Sequence, residues 1–368
     1  MKSSSIKNIH SFGQSIWLDY IRRDLITSGE LSRLIEEDGL RGMTSNPSIF
    51  GKAIAESSIY DQNIHYLALN KKNSTEIYEL ISQQDVQNAA DEFKTLYDQT
   101  KGEDGYVSLE VNPHLAHDTK GTIEEGRRLW RALNRPNVMI KVPATIEGLP
   151  AIEQLICEGI NVNATLLFGL PRYRLVVEAY ISGLEKRIAQ GGRIDNIASV
   201  ASFFLSRIDT LIDPLLKKII DKDGVKREVA NGVLGEVAIS SAKVAYQLYK
   251  EFFGTLRFKK LEREGARTQR LLWASTSNKN PDYSDLKYIE PLIGANTVNT
   301  LPPVTIDAYR DQGDPQASIE QNIEKAKLVL ESLPQLCIDI DLISQQLEEE
   351  GVKKFIDPFD KLLEILSK

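Results

Sequence analysis

The chain reads as an α/β protein, a (β/α)8 TIM barrel with extra helices and a C-terminal helical extension. Three observations predict it. Eight short apolar runs recur along the 368 residues, and eight parallel strands are what a closed barrel needs. Stretches of helical periodicity separate these runs. No Gly/Ser/Pro-rich linker or composition break divides the chain, so a length that admits about two domains fits one barrel with insertions better. The expected organisation is a single domain over residues 1–368, with a barrel core at about 16–312 and the helical extension at about 313–368.

In chain order, the strands are expected at Ile16–Ile21, Gly42–Asn46, Tyr106–Val111, Asn137–Val142, Ile160–Phe168, Ile197–Leu205, Arg270–Thr276 and Thr297–Leu301. Helices are expected between them at Gly29–Asp38, Ile123–Leu133, Ile146–Glu158 and Pro171–Gln190. The last opens on Pro171 and stops at Gly191-Gly192, a start and a stop signal. Two connections are overlong. Between Gly51 and Gly105, the spacings Ile77, Leu80, Ile81 and Phe93, Leu96, Tyr97 predict extra helices. Between Ile208 and Gln269, Leu215–Ile220 and Ala238–Phe253 are helical in pattern. After Pro302-Pro303 the chain reads as helix only, at Ala317–Leu333, Ile340–Glu349 and Pro358–Leu366.

Composition excludes several classes of function. Hydrophobic residues make up 42% of the chain and charged residues 26%, enough for a large core and far from disorder. The formal charge of -7 argues against a general nucleic-acid binder. Two cysteines, Cys157 and Cys337, cannot build a disulfide framework or a cysteine-rich metal site. Residues 1–5 are polar, and no run reaches the roughly 18 apolar residues of a membrane span. A cytoplasmic location and no membrane partner are the expectation. Neither a P-loop nor a dinucleotide fingerprint is present, so no nucleotide cofactor is expected.

The informative anomaly is polar chemistry inside the apolar runs. Asp19 interrupts Ile-Trp-Leu-Asp-Tyr, Glu110 interrupts Val-Ser-Leu-Glu-Val, and Lys141 interrupts Val-Met-Ile-Lys-Val-Pro. Strands covered on both sides should read as nearly continuous apolar runs, and a buried unpaired charge is costly. Taken singly, each is a strand end reaching solvent or a structural ion pair. Taken together they are not so easily dismissed. Thr44, Asn46, Asn161, Asn163, Thr165, Ser199, Ser202 and Ser275 repeat the pattern, mostly in the later half of their strands. In a barrel the C-terminal strand ends form the active-site face. A lysine among apolar neighbours offers a neutral, nucleophilic amine near pH 7, which suits a Schiff base with a carbonyl substrate. One carboxylate can move protons directly and a second can do so through water.

At these residues the chain resembles a known family. Gly42-Met43-Thr44-Ser45-Asn46-Pro47-Ser48-Ile49-Phe50 resembles the N-terminal signature of the transaldolases. Val138-Met139-Ile140-Lys141-Val142-Pro143-Ala144-Thr145 resembles their Schiff-base lysine segment. Val107–Val111 and Gly159–Phe168 are similar to neighbouring strands of that family, and the tail at Phe355–Asp360 is similar to that of its longer members. The resemblance runs from Ile16 to about Pro303. It implies a class I, metal-independent barrel with no cofactor. The implied reaction moves a dihydroxyacetone unit from sedoheptulose 7-phosphate to glyceraldehyde 3-phosphate, giving erythrose 4-phosphate and fructose 6-phosphate, in the non-oxidative pentose phosphate pathway.

Carried over by the resemblance, Lys141 attacks the ketose carbonyl, Asp19 takes the C4 hydroxyl proton, and Glu110 with Thr165 holds a proton-relaying water. Thr44, Asn46 and Asn163 would bind the dihydroxyacetone unit, Ser202 and Phe204 would line the pocket, and Arg207 with Ser275 would bind phosphate. The chain departs from the pattern at Ala274-Ser275-Thr276-Ser277-Asn278-Lys279. Ser277 stands where many transaldolases have a second arginine, and Lys279 is the obvious replacement charge. The partners implied are sugar phosphates, with no nucleic acid and with a homodimer left as an open assembly. The alternatives are a fructose 6-phosphate aldolase, which releases dihydroxyacetone to water, and a catalytically inactive barrel scaffold.

Two other signals read as bland. His114 and His117 have an i, i+3 spacing that can hold a metal, but a solvated loop fits four histidines in the whole chain better. Arg257–Arg270 carries six basic residues among Glu262 and Glu264 and reads as a charged helix face.

Overall fold

Residues 5–222 and 224–367 are described by the structure, a computed structural model. Eight parallel strands close into a barrel in chain order: β1 (Gln14–Asp19), β2 (Gly42–Thr44), β3 (Tyr106–Glu110), β4 (Val138–Pro143), β5 (Val162–Leu167), β6 (Ser199–Phe204), β7 (Arg270–Ala274) and β8 (Thr297–Leu301). The seam is the β1–β8 pairing, with Trp17 level with Thr300. Every residue of β2 through β8 is buried, the condition that makes parallel strands read as apolar runs.

All eight expected strands are present; β8 has the expected bounds, and the ends of the others differ for local reasons. β1 begins at Gln14, not Ile16, because the NH2 group of that buried polar residue finds two acceptors. Its amide donates to the Leu292 carbonyl at 2.7 Å and to Thr297 Oγ1 at 2.9 Å. β2 stops at Thr44 because Asn46 turns the chain into the helix Pro47–Ala55. Asn161 and Ser199, two of the polar strand residues, lie at the opposite end of the barrel and act structurally. Asn161 donates to the Pro136 and Val138 carbonyls at 3.0 Å, and Ser199 donates to the Val162 carbonyl at 2.7 Å.

The helices fall between the strands at Glu30–Glu37, Thr119–Leu133, Gly148–Cys157 and Leu170–Ala189. The first overlong connection holds Asp61–Leu69, Ser74–Glu92 and Lys94–Gln99. Ser74–Glu92 opens on a capping box in which Asn73 and Glu76 bond each other's backbone. Ile77 and Ile81 are buried there, whereas Leu80 faces out. The second connection holds Ser206–Asp221, Lys226–Val233, Val237–Gly254 and Leu256–Arg263. The basic run is therefore not one helix face. Arg257 pairs with Glu178 and Glu185 on the surface, while Arg270 is a buried residue of β7.

The tail departs most from expectation. Ala317–Leu333 shortens to Ile323–Ser332, and the two helices expected after Ile340 are one, Ile340–Leu366, continuing through Pro358. A proline inside a helix removes one backbone hydrogen bond and ordinarily kinks or ends it. Here Phe355, Phe359 and Leu362, on both sides of Pro358, are buried against the barrel, and that packing outweighs the local preference.

The starts of four strands are joined by a buried charge network. Asp104, just before β3, meets Arg270 of β7 at 2.9 Å and Arg41, just before β2, at 3.0 Å, and accepts from Ser15 of β1 at 2.7 Å. Burial alone would raise the Asp104 carboxyl, but Arg270, Ser15 and Arg41 together hold it below the usual value. Removing one member of such a network strands the others. Asp104→Asn should therefore lower unfolding stability by about 3–5 kcal/mol, measured by urea denaturation at pH 7. Because the folded pKa is depressed, this stabilisation is present above the unfolded carboxylate pKa of about 3.9 and is lost as pH falls below it. The variant and parent curves should converge in acid. Equal stability at pH 7 would contradict the assignment.

Candidate active site

The strand register gathers the remaining polar residues at the other end of the barrel. Asp19, the last residue of β1, is level with Thr44, the last of β2. Glu110, the last of β3, is level with Lys141 of β4, which is level with Asn163 of β5. Above them opens a pocket of about 570 Å³. Asp19, Thr44, Asn46, Lys141, Thr165, Ser202, Phe204, Arg207, Ser275 and Lys279 all line it.

Glu110 and Asn163 lie outside that wall. Asn163 donates to Ser108 Oγ at 3.1 Å and accepts from Ser202 Oγ at 2.6 Å, so its amide supports the pocket floor. Ser108 is a member of that floor that the sequence did not single out. Neighbouring polar residues in one strand look alike in sequence, and only the cross-barrel contact distinguishes them.

Lys141 is the buried charge at the centre. Its amine lies 3.3 Å from Glu110 Oε2 and donates to the Ser45 carbonyl at 3.3 Å, and the two side chains are 5% and 2% exposed. Burial pushes the Glu110 carboxyl up to about 7; Lys141 opposes the shift and the Asp19 charge adds slightly to it. The pair is close without aligning as a hydrogen bond. Both Glu110 oxygens are therefore buried without a hydrogen-bond partner, as is Thr165 Oγ1, a condition that proteins rarely leave in place without a reason. Asp19 accepts from Thr44 Oγ1 at 2.8 Å. Asn46 caps the helix Pro47–Ala55, its side-chain oxygen accepting from the Ile49 N–H at 3.0 Å, with Pro47 in the favoured first position.

The rim is cationic. Arg207, in the first turn of Ser206–Asp221, stacks its guanidinium 5.3 Å from the Phe204 ring, and its buried Nη1 has no hydrogen-bond partner. Ser275 adopts a left-handed φ of 54°, a conformation that costs of order 1–3 kcal/mol for a residue with a side chain and clusters at functional sites. Its carbonyl accepts from the Ser206 N–H at 3.1 Å, tying the end of β7 to the start of the Arg207 helix. Lys279 is exposed at the mouth, and its amine donates to Ser277 Oγ at 2.7 Å. Partial burial of that amine, and then the Arg207 charge, lower its pKa.

The Lys279 loop is held firmly. Tyr283 donates to Asp213 at 2.8 Å and Tyr288 donates to Asp209 at 2.9 Å, both aspartates belonging to the Arg207 helix. Lys287 lies 3.4 Å from Asp209 and stands 3.2 Å from the centre of the Tyr283 ring.

Several pocket residues escaped the sequence reading. Tyr20 and Lys52 follow β1 and β2, and Lys354 and Phe355 come from Ile340–Leu366. A helix read as an appendage gives no signal that its middle turn crosses the barrel mouth. The histidine pair has a role there as well. His114 contacts Asp360 at 2.7 Å and His117 contacts Glu147 at 3.2 Å. Among the described residues, no group of three or more His, Cys, Asp or Glu side chains is placed to hold a metal.

The Glu110 environment makes a measurable claim. With glutamate side chains labelled with carbon-13, two carboxyls, Glu110 and the Arg172-paired Glu348, should titrate near pH 7, and Glu348→Gln leaves the Glu110 signal alone there. In Lys141→Met the opposing charge is gone, so the Glu110 midpoint should move upward by about a unit or more. A midpoint that stays put or falls would show that Lys141 does not set the Glu110 charge.

Comparison with known proteins agrees with this geometry. A family model described as Transaldolase/Fructose-6-phosphate aldolase matches residues 16–366. A protein named transaldolase from Trichodesmium erythraeum is 51% identical over all of this chain and 97% of its own length. Transaldolase 2 of Nostoc sp. strain PCC 7120 is 47% identical with the same coverage. The transaldolase of Thiobacillus denitrificans is 44% identical over 97% of this chain and 98% of its own. A closed eight-stranded barrel, a buried lysine beside a glutamate, and a family match over nearly the whole chain lead to one conclusion: this chain belongs to the Transaldolase/Fructose-6-phosphate aldolase family.

Proposed function

We propose that the chain is a transaldolase of the non-oxidative pentose phosphate pathway. It would carry a dihydroxyacetone unit from sedoheptulose 7-phosphate to glyceraldehyde 3-phosphate, giving erythrose 4-phosphate and fructose 6-phosphate, and the reverse. The observation that carries the reading is the Lys141 amine, buried between Glu110 and the Ser45 carbonyl at the floor of a pocket with a cationic rim.

The mechanism follows from those positions. Lys141 attacks the C2 carbonyl of the ketose, and loss of water from the carbinolamine leaves an iminium. Glu110, pushed up to about 7, can give or take a proton at neutral pH. Its unpartnered oxygens and Thr165 Oγ1 suit a water that relays that proton. Asp19, oriented by Thr44, takes the C4 hydroxyl proton as the C3–C4 bond breaks. The bonding pair flows into the iminium, giving an enamine and a free aldehyde. The enamine then attacks the acceptor aldehyde by the same steps in reverse. Arg207 and Ser275, with Lys279, receive the phosphate, and its binding energy helps to place the distant carbonyl.

Residues 1–368 are taken as one domain acting on sugar phosphates in the cytoplasm. Among the described residues no helix is long and apolar enough to cross a membrane.

A coupled assay for glyceraldehyde 3-phosphate tests the reading with fructose 6-phosphate as donor. A transaldolase turns over only when erythrose 4-phosphate is added, an aldolase releases glyceraldehyde 3-phosphate without it, and an inactive scaffold gives none. Borohydride added with fructose 6-phosphate should inactivate the protein and add a dihydroxyacetone-derived mass to the Lys141 peptide. A label on any other lysine removes Lys141 from its role.

The phosphate site yields a separate expectation. Arg207→Met should lower kcat/KM for phosphorylated sugars by about 10²-fold or more, a charged bidentate donor being lost. Lys279→Met should lower it by only about threefold to tenfold, and more at low salt, because an exposed charge is screened. Unphosphorylated sugars should be spared in both variants. Equal losses with both substrate classes in Lys279→Met would show that this lysine is no phosphate ligand.

A further inference from the structure

We propose that Phe355, carried over the barrel mouth by the helix Ile340–Leu366, determines that the dihydroxyacetone unit passes to an aldehyde and is not released to water. The inference rests on the reading of Lys141 given above. The Phe355 ring is 3% exposed, lines the same pocket as Asp19, Lys141 and Thr165, and is centred 5.4 Å from the Lys141 amine.

Its position is fixed from both sides along the helix. On the N-terminal side, Glu348 pairs with Arg172 at 3.0 Å and Ser344 donates to the Phe168 carbonyl at 3.3 Å. Gly351 lets the helix lie against β5, since a Cβ there would stand 3.0 Å from Leu166 Cδ2. On the C-terminal side, Phe359 packs edge-on against Tyr78 with centres 5.3 Å apart, and Asp360 meets His114. Phe355 is thus a built wall of the pocket and not a loose flap.

After C–C cleavage the three-carbon unit is held on Lys141 as an enamine with two competing fates. Transfer forms a carbon–carbon bond to the acceptor aldehyde. Release consumes one water: one hydrogen goes to the enamine carbon, the oxygen goes to the imine carbon, and the other hydrogen goes to nitrogen as the C–N bond breaks. The products are dihydroxyacetone and the free Lys141 amine. A buried aromatic ring over the amine keeps bulk water from that carbon, leaving proton traffic to the Glu110–Thr165 side of the pocket.

The test compares parent, Phe355→Leu and Phe355→Ala with fructose 6-phosphate and erythrose 4-phosphate. Free dihydroxyacetone and sedoheptulose 7-phosphate are quantified, and borohydride labelling is repeated on each protein. Phe355→Ala should raise the ratio of release to transfer by about tenfold, equivalent to roughly 1.4 kcal/mol between the two barriers. Phe355→Leu keeps apolar bulk and should stay near the parent. Phe355→Val opens less space and gives the same comparison should the alanine variant not fold. An unchanged ratio in a folded variant still labelled at Lys141 overturns the proposal alone. An unlabelled parent overturns the lysine reading beneath it.

Discussion

Closing eight parallel strands on themselves shields the interior from bulk water, and the Lys141–Glu110 pair is the charge this wall has to hold. Two charges in a low-dielectric interior lose their hydration, and mutual attraction offsets that loss only in good geometry. At 3.3 Å the pair is close, but neither Glu110 oxygen completes a hydrogen bond. The interior therefore leaves the pair under-satisfied. Burial favours neutral Glu110 while Lys141 favours the anion, and the balance falls at about 7. A carboxyl poised there changes state with small shifts in its surroundings, such as conversion of the amine to an iminium. The same imperfection that weakens the pair as a stabilising contact makes it usable in proton transfer.

The two ends of the barrel show opposite solutions to buried charge. At the strand starts, Asp104 is met by two arginines and a serine hydroxyl. At the strand ends, Glu110, Thr165 and Arg207 keep atoms without partners, and Ser275 holds a left-handed backbone. Arg270 and Arg207 make the contrast sharpest. The first starts β7 and is paired inside the barrel; the second follows β6 and presents its fork to the pocket. Paired charge at the strand starts ties four strands together, while the strand ends hold polar atoms that a ligand can meet, a division of labour the barrel topology makes available.

Much of this was legible in the sequence because the signals are local. Each strand is a run of buried residues, and charges at Asp19, Glu110 and Lys141 stand out against such runs. Gln14 was missed because a buried amide whose NH2 group is held by two distant acceptors looks like any polar flank. Asn161 and Ser199 look the same in sequence as Asn163 and Ser202, yet two or three residues along the chain move a side chain from the middle of the wall to its base. Pro358 misled for a different reason. Local preference ends a helix there, while contacts with Tyr78 and His114, far away in sequence, hold it together. What escaped is what depends on how elements meet, including Phe355 and Lys354 in the pocket.

Charge at the mouth brings these scales together. The chain as a whole is negative, with a formal charge of -7, yet Arg207, Lys279, Lys52 and Lys354 border one opening. They come from four separate segments, so no run of basic residues announces them. Glu350 holds Lys354 at 3.2 Å, which leaves part of that cation's field directed elsewhere. Screening limits exposed charges to about 8–10 Å at physiological salt, so a distant acidic surface does little to cancel a local cluster. A concave pocket with low-dielectric walls focuses what remains. The sign of the pocket, not that of the chain, thus decides which ligands enter, and a small anionic sugar meets an attractive field on a protein whose overall charge would repel it.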